Sequence, residues 1–219
     1  MRITLSTTGR LVVRTYRQVL LIACTRAAGL FGGAGAAKAQ DFSATYAAVG
    51  NMTRVPYGWA DLCGRQPQEC QVEVLDPVDL RLTARTLHML ERINAEVNAD
   101  IVPVSNYDHW GTMLDHWDYP VDGKGDCKIY ALWKRKQLLD MGFPRQALLM
   151  TIVRDLDGNG HTVLTVKTDR GDLILDNMVG EVRLWDETGY KFVKRQSQSD
   201  PNVWVSVGPA TMPVTMSSI

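Results

Sequence analysis

Net charge is missing from this chain: 24 Lys and Arg stand against 24 Asp and Glu, for a formal net charge of +0 at pH 7. A nucleic-acid partner therefore has no support from overall charge, because such binding draws on a basic surplus. Long apolar runs are missing too, and no stretch approaches the roughly 20 residues that span a membrane. Histidine is scarce, 4 in 219 residues. The pair His109 and His116 lies on a segment read as loop, with no zinc-type spacing to other ligands. What remains is ordinary for a folded chain: 45% hydrophobic and 22% charged residues, enough for a sizeable core in one domain or at most two.

Residues 1–39 read as an export signal. Arg10, Arg14 and Arg17 form a basic start, Val19 to Cys24 begins an apolar region, and Ala37-Lys38-Ala39 supplies small residues for cleavage before Gln40. The run Leu21-Ile22-Ala23-Cys24 also resembles a lipoprotein cleavage box, a lesser alternative. A periplasmic or secreted location follows, and with it an oxidising compartment. Loss of Cys24 with the signal leaves Cys63, Cys70 and Cys127. Cys63 and Cys70 flank a polar segment rich in turn residues that can bring them to bridging distance, which leaves Cys127 as an unpaired thiol and a candidate for a reactive role.

Residues 40–76 are broken by Pro56, Gly58, Gly64 and Pro67, and read as an irregular arm fastened by that disulfide. From Asp76-Pro77 to Asn98 the residues Leu80, Leu87, Leu90, Ile93 and Val97 recur at near-helical spacing. A loop rich in aromatics follows, and then a helix from Cys127 to Met141, with Lys134, Arg135 and Lys136 expected on its solvated side and Gly142 and Pro144 ending it. Asp126 occupies the N-cap position, so Cys127 falls in the first turn, where unpaired N–H groups and the helix dipole favour thiolate. Six short strands are expected afterwards: 147–154, 161–168, 172–176, 182–185, 190–194 and 203–207. Helices first and an antiparallel sheet later define an α+β class. The body runs over 77–208, and 209–219 is a tail without a strong signal.

His161 opens one expected strand and Asp176 closes the next, with a turn at Arg170-Gly171 between them. In an antiparallel hairpin the start of the first strand and the end of the second lie side by side. A helix bearing Cys127 placed at that end of the sheet assembles a nucleophile, an imidazole and an orienting carboxylate.

Gly123-Lys124-Gly125-Asp126-Cys127, Gly160-His161-Thr162-Val163-Leu164 and Leu173-Ile174-Leu175-Asp176-Asn177, in this order, resemble the bacterial transglutaminase-like cysteine proteinases, which include adhesin-clipping periplasmic proteases of the LapG type. Ile93-Asn94, Asn98, Trp110-Gly111 and Asp115-His116-Trp117 fit the same pattern. The resemblance implies a papain-like, transglutaminase-like fold and a peptidase in which Cys127, His161 and Asp176 are the catalytic triad. It also implies a protein or peptide substrate, with a cell-surface protein among the options, and a regulatory membrane receptor of the kind such enzymes use. No cofactor is required by this reading. In the LapG type an acidic pair after the cysteine is associated with calcium, but here Lys128 and Ile129 stand in those places. An ammonium cannot ligate Ca²⁺ and repels it. The remaining weak calcium candidates are Asp126 and an EF-hand-like opening at Asp155, Asp157 and Asn159, whose twelfth position is Val166 instead of Glu. Asp157-Gly158 and Asn159-Gly160 read more naturally as a hairpin turn.

The chemistry expected is thiolate attack on a peptide carbonyl and hydrolysis of the acyl-enzyme. The Cys127 N–H and the Trp117 indole N–H are the candidate oxyanion donors. The same triad could pass the acyl group to an amine as a transglutaminase or peptidyl transferase. An exported adaptor with a non-catalytic cleft is the reading from another class.

Overall fold

A computed structural model describes residues 44–208; the expected export signal and the tail lie outside them. The elements in chain order are β1 (Val49–Thr53), α1 (Tyr57–Arg65), α2 (Ala84–Asp100), β2 (Val102–Pro103), α3 (Asn106–Trp110), β3 (Lys124–Gly125), α4 (Cys127–Asp140), β4 (Leu148–Arg154), β5 (Gly160–Thr168), β6 (Gly171–Leu175), β7 (Arg183–Leu184), β8 (Lys191–Gln196) and β9 (Trp204–Val207). Helices precede an antiparallel sheet, as the α+β reading requires. The main sheet has 7 strands in the order β1-β9-β8-β4-β5-β6-β7, so β4 and β5 lie near its middle and are buried along most of their length. α4 packs on β5, and α2 packs on α4. Leu90, Ile93, Val97, Leu132, Leu138, Met150, Leu164 and Leu175 from these layers share one core with Trp59, Trp117 and Trp204.

Three sequence expectations change. The arm over 40–76 is not irregular. Its β1 pairs with β9 as an edge strand, and its α1 buries Trp59 and Leu62. The Cys63–Cys70 disulfide does form, tying Cys63 within α1 to Cys70 just after it. The boundary at 77 therefore cuts through one sheet. Second, α2 starts at Ala84 and not at Pro77, because Thr83 and Thr86 make a reciprocal capping box and Leu80 is drawn into a bridge with Thr168. Third, Lys134 and Arg135 are buried instead of solvated. α4 is enclosed by the sheet, by α2 and by the N-terminal segment, so no broad face is left to water. Arg135 lies 5.8 Å from the Trp59 ring and 3.6 Å from the Glu69 carboxylate.

A two-stranded parallel ribbon prepares the start of α4. Val102 pairs with Lys124 and Pro103 with Gly125, and Val104 N–H donates to the Gly125 carbonyl at 3.0 Å. Gly123 has φ of 74°, a conformation that favours glycine. At Gly125 a Cβ would stand 2.5 Å from Ile129, so only glycine lets the strand pass this close to the first turn of the helix.

Candidate active site

Cys127 is the first residue of α4 and the free cysteine among the described residues. Asp126 holds the N-cap position in an extended conformation, but its side chain makes no capping bond. The first-turn amides of Ile129 and Tyr130 bond to its backbone carbonyl at 3.0 and 3.2 Å. The carboxylate turns the other way, to the ammonium of Lys128.

The β5–β6 register pairs Leu164 with Leu175 and Val166 with Leu173. One further step sets Asp176 across from Val163, on the same face of the sheet as His161 and diagonal to it. The two side chains meet there: His161 Nε2 lies 2.8 Å from Asp176 Oδ1, and both are almost wholly buried. Cys127 stands beside the same ring, where the two line one cleft. Burial opposes a charge on this ring, but the bond to Asp176 and the negative character of Asp176 and the neighbouring Cys127 outweigh it and hold the His161 pKa at about 10. Asp176 is pushed below its ordinary range against the opposing effect of burial by His161, by the Tyr190 hydroxyl at 2.6 Å from Oδ2 and by the Met178 N–H at 2.9 Å from Oδ1. Asn98 from α2 donates to the Asp176 carbonyl at 2.8 Å, which fixes the backbone beneath it.

Cys127 and His161 open onto a cleft of about 440 Å³, lined also by Gly125, Asp157, Asn177 and Met178. Asp155, Asp157 and Asn159 form the β4–β5 turn. Asp155 Oδ1 accepts the N–H of Asp157 at 3.0 Å and that of Asn159 at 2.8 Å, and Gly158 takes φ of 85°. This oxygen is committed to the turn, and the turn delivers His161 to the cleft edge.

Trp117 does not reach the cleft. It is fully buried, its indole N–H donates to Asp115 Oδ2 at 2.7 Å, and its ring stands edge-on between Trp59 and Trp204 at 6.1 and 6.3 Å. The oxyanion role expected for Trp117 is therefore withdrawn, because its only donor is already engaged. Two further relationships escaped the sequence reading. Tyr190 immediately precedes β8, and no local motif marks it as a partner of Asp176. Lys128 reaches Asp115 Oδ1 at 3.0 Å as well as Asp126, and its side chain is 2% exposed. Among the described residues no group of 3 or more His, Cys, Asp and Glu side chains is disposed to hold a metal ion.

A helix-borne thiol packed against an antiparallel sheet, in this order of elements, is the α+β plan of the transglutaminase-like superfamily. A family model described as bacterial transglutaminase-like cysteine proteinase BTLCP matches residues 49–212. The match covers most of the chain, so the chain belongs to that family and is a cysteine peptidase of the transglutaminase-like superfamily. No curated protein sequence matches it. Solved structures of Legionella pneumophila LapG are similar to it. One is 26% identical with a TM-score of 0.46, covering 54% of this chain and 67% of that one. A calcium-bound form is 23% identical with a TM-score of 0.48, covering 62% and 77%. An EGTA-treated form is 25% identical with a TM-score of 0.46, covering 55% and 70%.

Proposed function

We propose that the chain is an exported peptidase that cleaves a protein or peptide through Cys127, His161 and Asp176. The observation that carries the reading is the His161 ring, which bonds to Asp176 through Nε2 and lines one cleft with the Cys127 thiol. The Cys127 sulfur attacks the substrate carbonyl carbon as thiolate, with the proton on His161. The Cys127 N–H at the helix start stabilises the developing oxyanion. Collapse of the tetrahedral species breaks the C–N bond, and His161 gives its proton to the leaving amine. Water, deprotonated by His161, then attacks the thioester and releases the acid and Cys127. Asp176 holds the imidazole orientation and balances its charge throughout.

The disulfide and the basic–apolar–small order of residues 1–39 support export, which N-terminal sequencing of the mature protein from cell fractions tests. An exported peptidase meets cell-surface proteins, and that class is the substrate we favour; a regulatory membrane receptor rests on family resemblance alone. A mixed peptide library with mass-spectrometric readout tests the chemistry. Parent protein should yield cleaved products and Cys127→Ala none. Equal cleavage by the alanine variant sinks the proposal. A labelled amine added to the same reaction separates hydrolysis from acyl transfer.

Calcium has to be weighed, since L. pneumophila LapG is known in calcium-bound and EGTA-treated forms. In this chain the carboxylates beside the nucleophile, Asp115 and Asp126, already converge on the Lys128 ammonium. An ion that takes six to eight oxygens at about 2.3–2.6 Å does not fit a position held by a cation of the chain itself. No step of the mechanism runs through calcium.

A further inference from the structure

We propose that Lys128 is a tethered cation that stands where a divalent ion would otherwise join Asp115 to Asp126, and that it makes this peptidase independent of such ions. The Lys128 ammonium contacts Asp115 Oδ1 at 3.0 Å and Asp126 Oδ2, and both carboxylates are mostly buried. Neither acid has another cation within salt-bridge distance among the described residues. Asp126 Oδ1 is buried with no hydrogen-bond partner at all. Without the lysine, two desolvated carboxylates would face each other across a gap, an arrangement that either springs open or takes up a cation. Burial disfavours charge on Lys128, yet the negative groups of Asp126, Asp115 and Cys127 outweigh it and hold the ammonium protonated.

The joint has a mechanical role because of what lies on each side. Asp115 is fastened to the tryptophan cluster through Trp117 Nε1 at 2.7 Å. Asp126 precedes the nucleophile and carries the carbonyl on which the first turn of α4 is built. Lys128 therefore links the loop containing Asp115 to the residue that sets the position of Cys127. It touches no reacting atom and is a positioning residue. An ammonium offers three N–H donors and needs no further ligands, so two carboxylates suffice where a calcium ion would need several more oxygens.

The test compares the full mature protein with Lys128→Ala, Lys128→Glu and Lys128→Arg, each in CaCl2 and in EGTA. It reads melting temperature, calcium binding by calorimetry and the rate of Cys127 alkylation by iodoacetamide. The parent should show no calcium-dependent shift in any of the three. Lys128→Arg should stay close to the parent. Lys128→Ala should lose about tenfold or more in alkylation rate in EGTA. Calcium should raise its melting temperature by several degrees and restore much of the rate. Lys128→Glu, which adds a third carboxylate, should bind calcium measurably. Calcium stabilisation of the parent overturns the proposal. So does a folded Lys128→Ala or Lys128→Glu that ignores calcium in both calorimetry and melting. A variant that folds only with calcium supports it. The positioning of a nucleophile rests on the peptidase reading, but calorimetry and melting do not, so the two can fail separately.

Discussion

The hydroxyl of Tyr190 donates to Asp176 Oδ2 at 2.6 Å, while His161 occupies Oδ1 of the same carboxylate. Tyr190 favours the ionised acid and fixes its plane, and its ring meets the His161 ring edge-on at 5.7 Å. Tyr190→Phe should lower kcat/KM by about tenfold, the cost of one charge-assisted hydrogen bond of roughly 1.5 kcal/mol. A carboxylate with a lowered folded pKa stabilises the fold above its unfolded pKa of about 3.9, and that contribution is lost as pH falls through the folded value. Tyr190→Phe brings the folded value closer to the unfolded one, so acid unfolding should begin at higher pH. Unchanged kinetics and an unchanged acid midpoint would remove Tyr190 from the site.

His161 is held at a pKa of about 10 by Asp176 and Cys127 against the opposing effect of burial. Its contribution to stability is complete below the unfolded value of about 6.5 and disappears as pH rises through about 10. Melting of the parent and of His161→Gln, compared across pH, should therefore converge toward alkaline conditions and differ most at or below pH 6.5. The proposed mechanism delivers a proton to the leaving amine from the same protonated ring, so the basic limb of kcat/KM should lie well above neutrality. A basic limb near 6.5 would show that the ring is not paired as described.

Lys134 is fully buried, and its ammonium nitrogen has no hydrogen-bond partner. Burial lowers its pKa to about 7, with the charge of Asp176 opposing the shift. For a base with a lowered folded pKa the penalty is absent where both states are neutral. It grows as pH falls from about 10.4 towards 7 and is complete below that. Lys134→Met should stabilise the protein by up to a few kcal/mol, roughly 1–4, with the gain largest at and below neutral pH. Chemical denaturation at two pH values measures it. A loss of stability in the methionine variant would mean that the lysine has a partner in solution.

The sheet and the meeting of His161 with Asp176 were legible because hairpin topology converts sequence order into proximity. His161 lies at the start of β5, Asp176 directly follows β6, and the Asp157-Gly158 turn leads into His161. The site residues that were missed depend on long-range packing. Tyr190 reaches Asp176 from just before β8, and that strand adjoins β4, not β5 or β6. Asp115 finds Lys128 only after an aromatic loop folds against Trp59 and Trp204. Lys134 and Arg135 read as solvated because charge on a helix usually faces water. Enclosure of α4 on several sides overrode that pattern. Strand β1 was lost among the glycines and prolines of its surroundings, and its pairing with β9 spans nearly the whole described chain.

Trp117 tests whether an indole donates to an oxyanion or holds the core. An oxyanion donor should cost about 10²–10³ in kcat when removed and leave stability nearly untouched. The observed indole instead donates to Asp115 and fills the space between two other tryptophans. Trp117→Phe keeps an aromatic ring but deletes the donor and part of the volume. It should cost roughly 1–3 kcal/mol in stability, from a smaller packed surface and an unpartnered Asp115 oxygen. Because Asp115 still meets Lys128 through its other oxygen, kcat should fall by less than about tenfold, far short of the loss for an oxyanion donor. Chemical denaturation and steady-state kinetics on one preparation separate the two. A stable variant with kcat reduced by hundreds would return Trp117 to the oxyanion site, whereas an unstable variant that still turns over assigns it to the core.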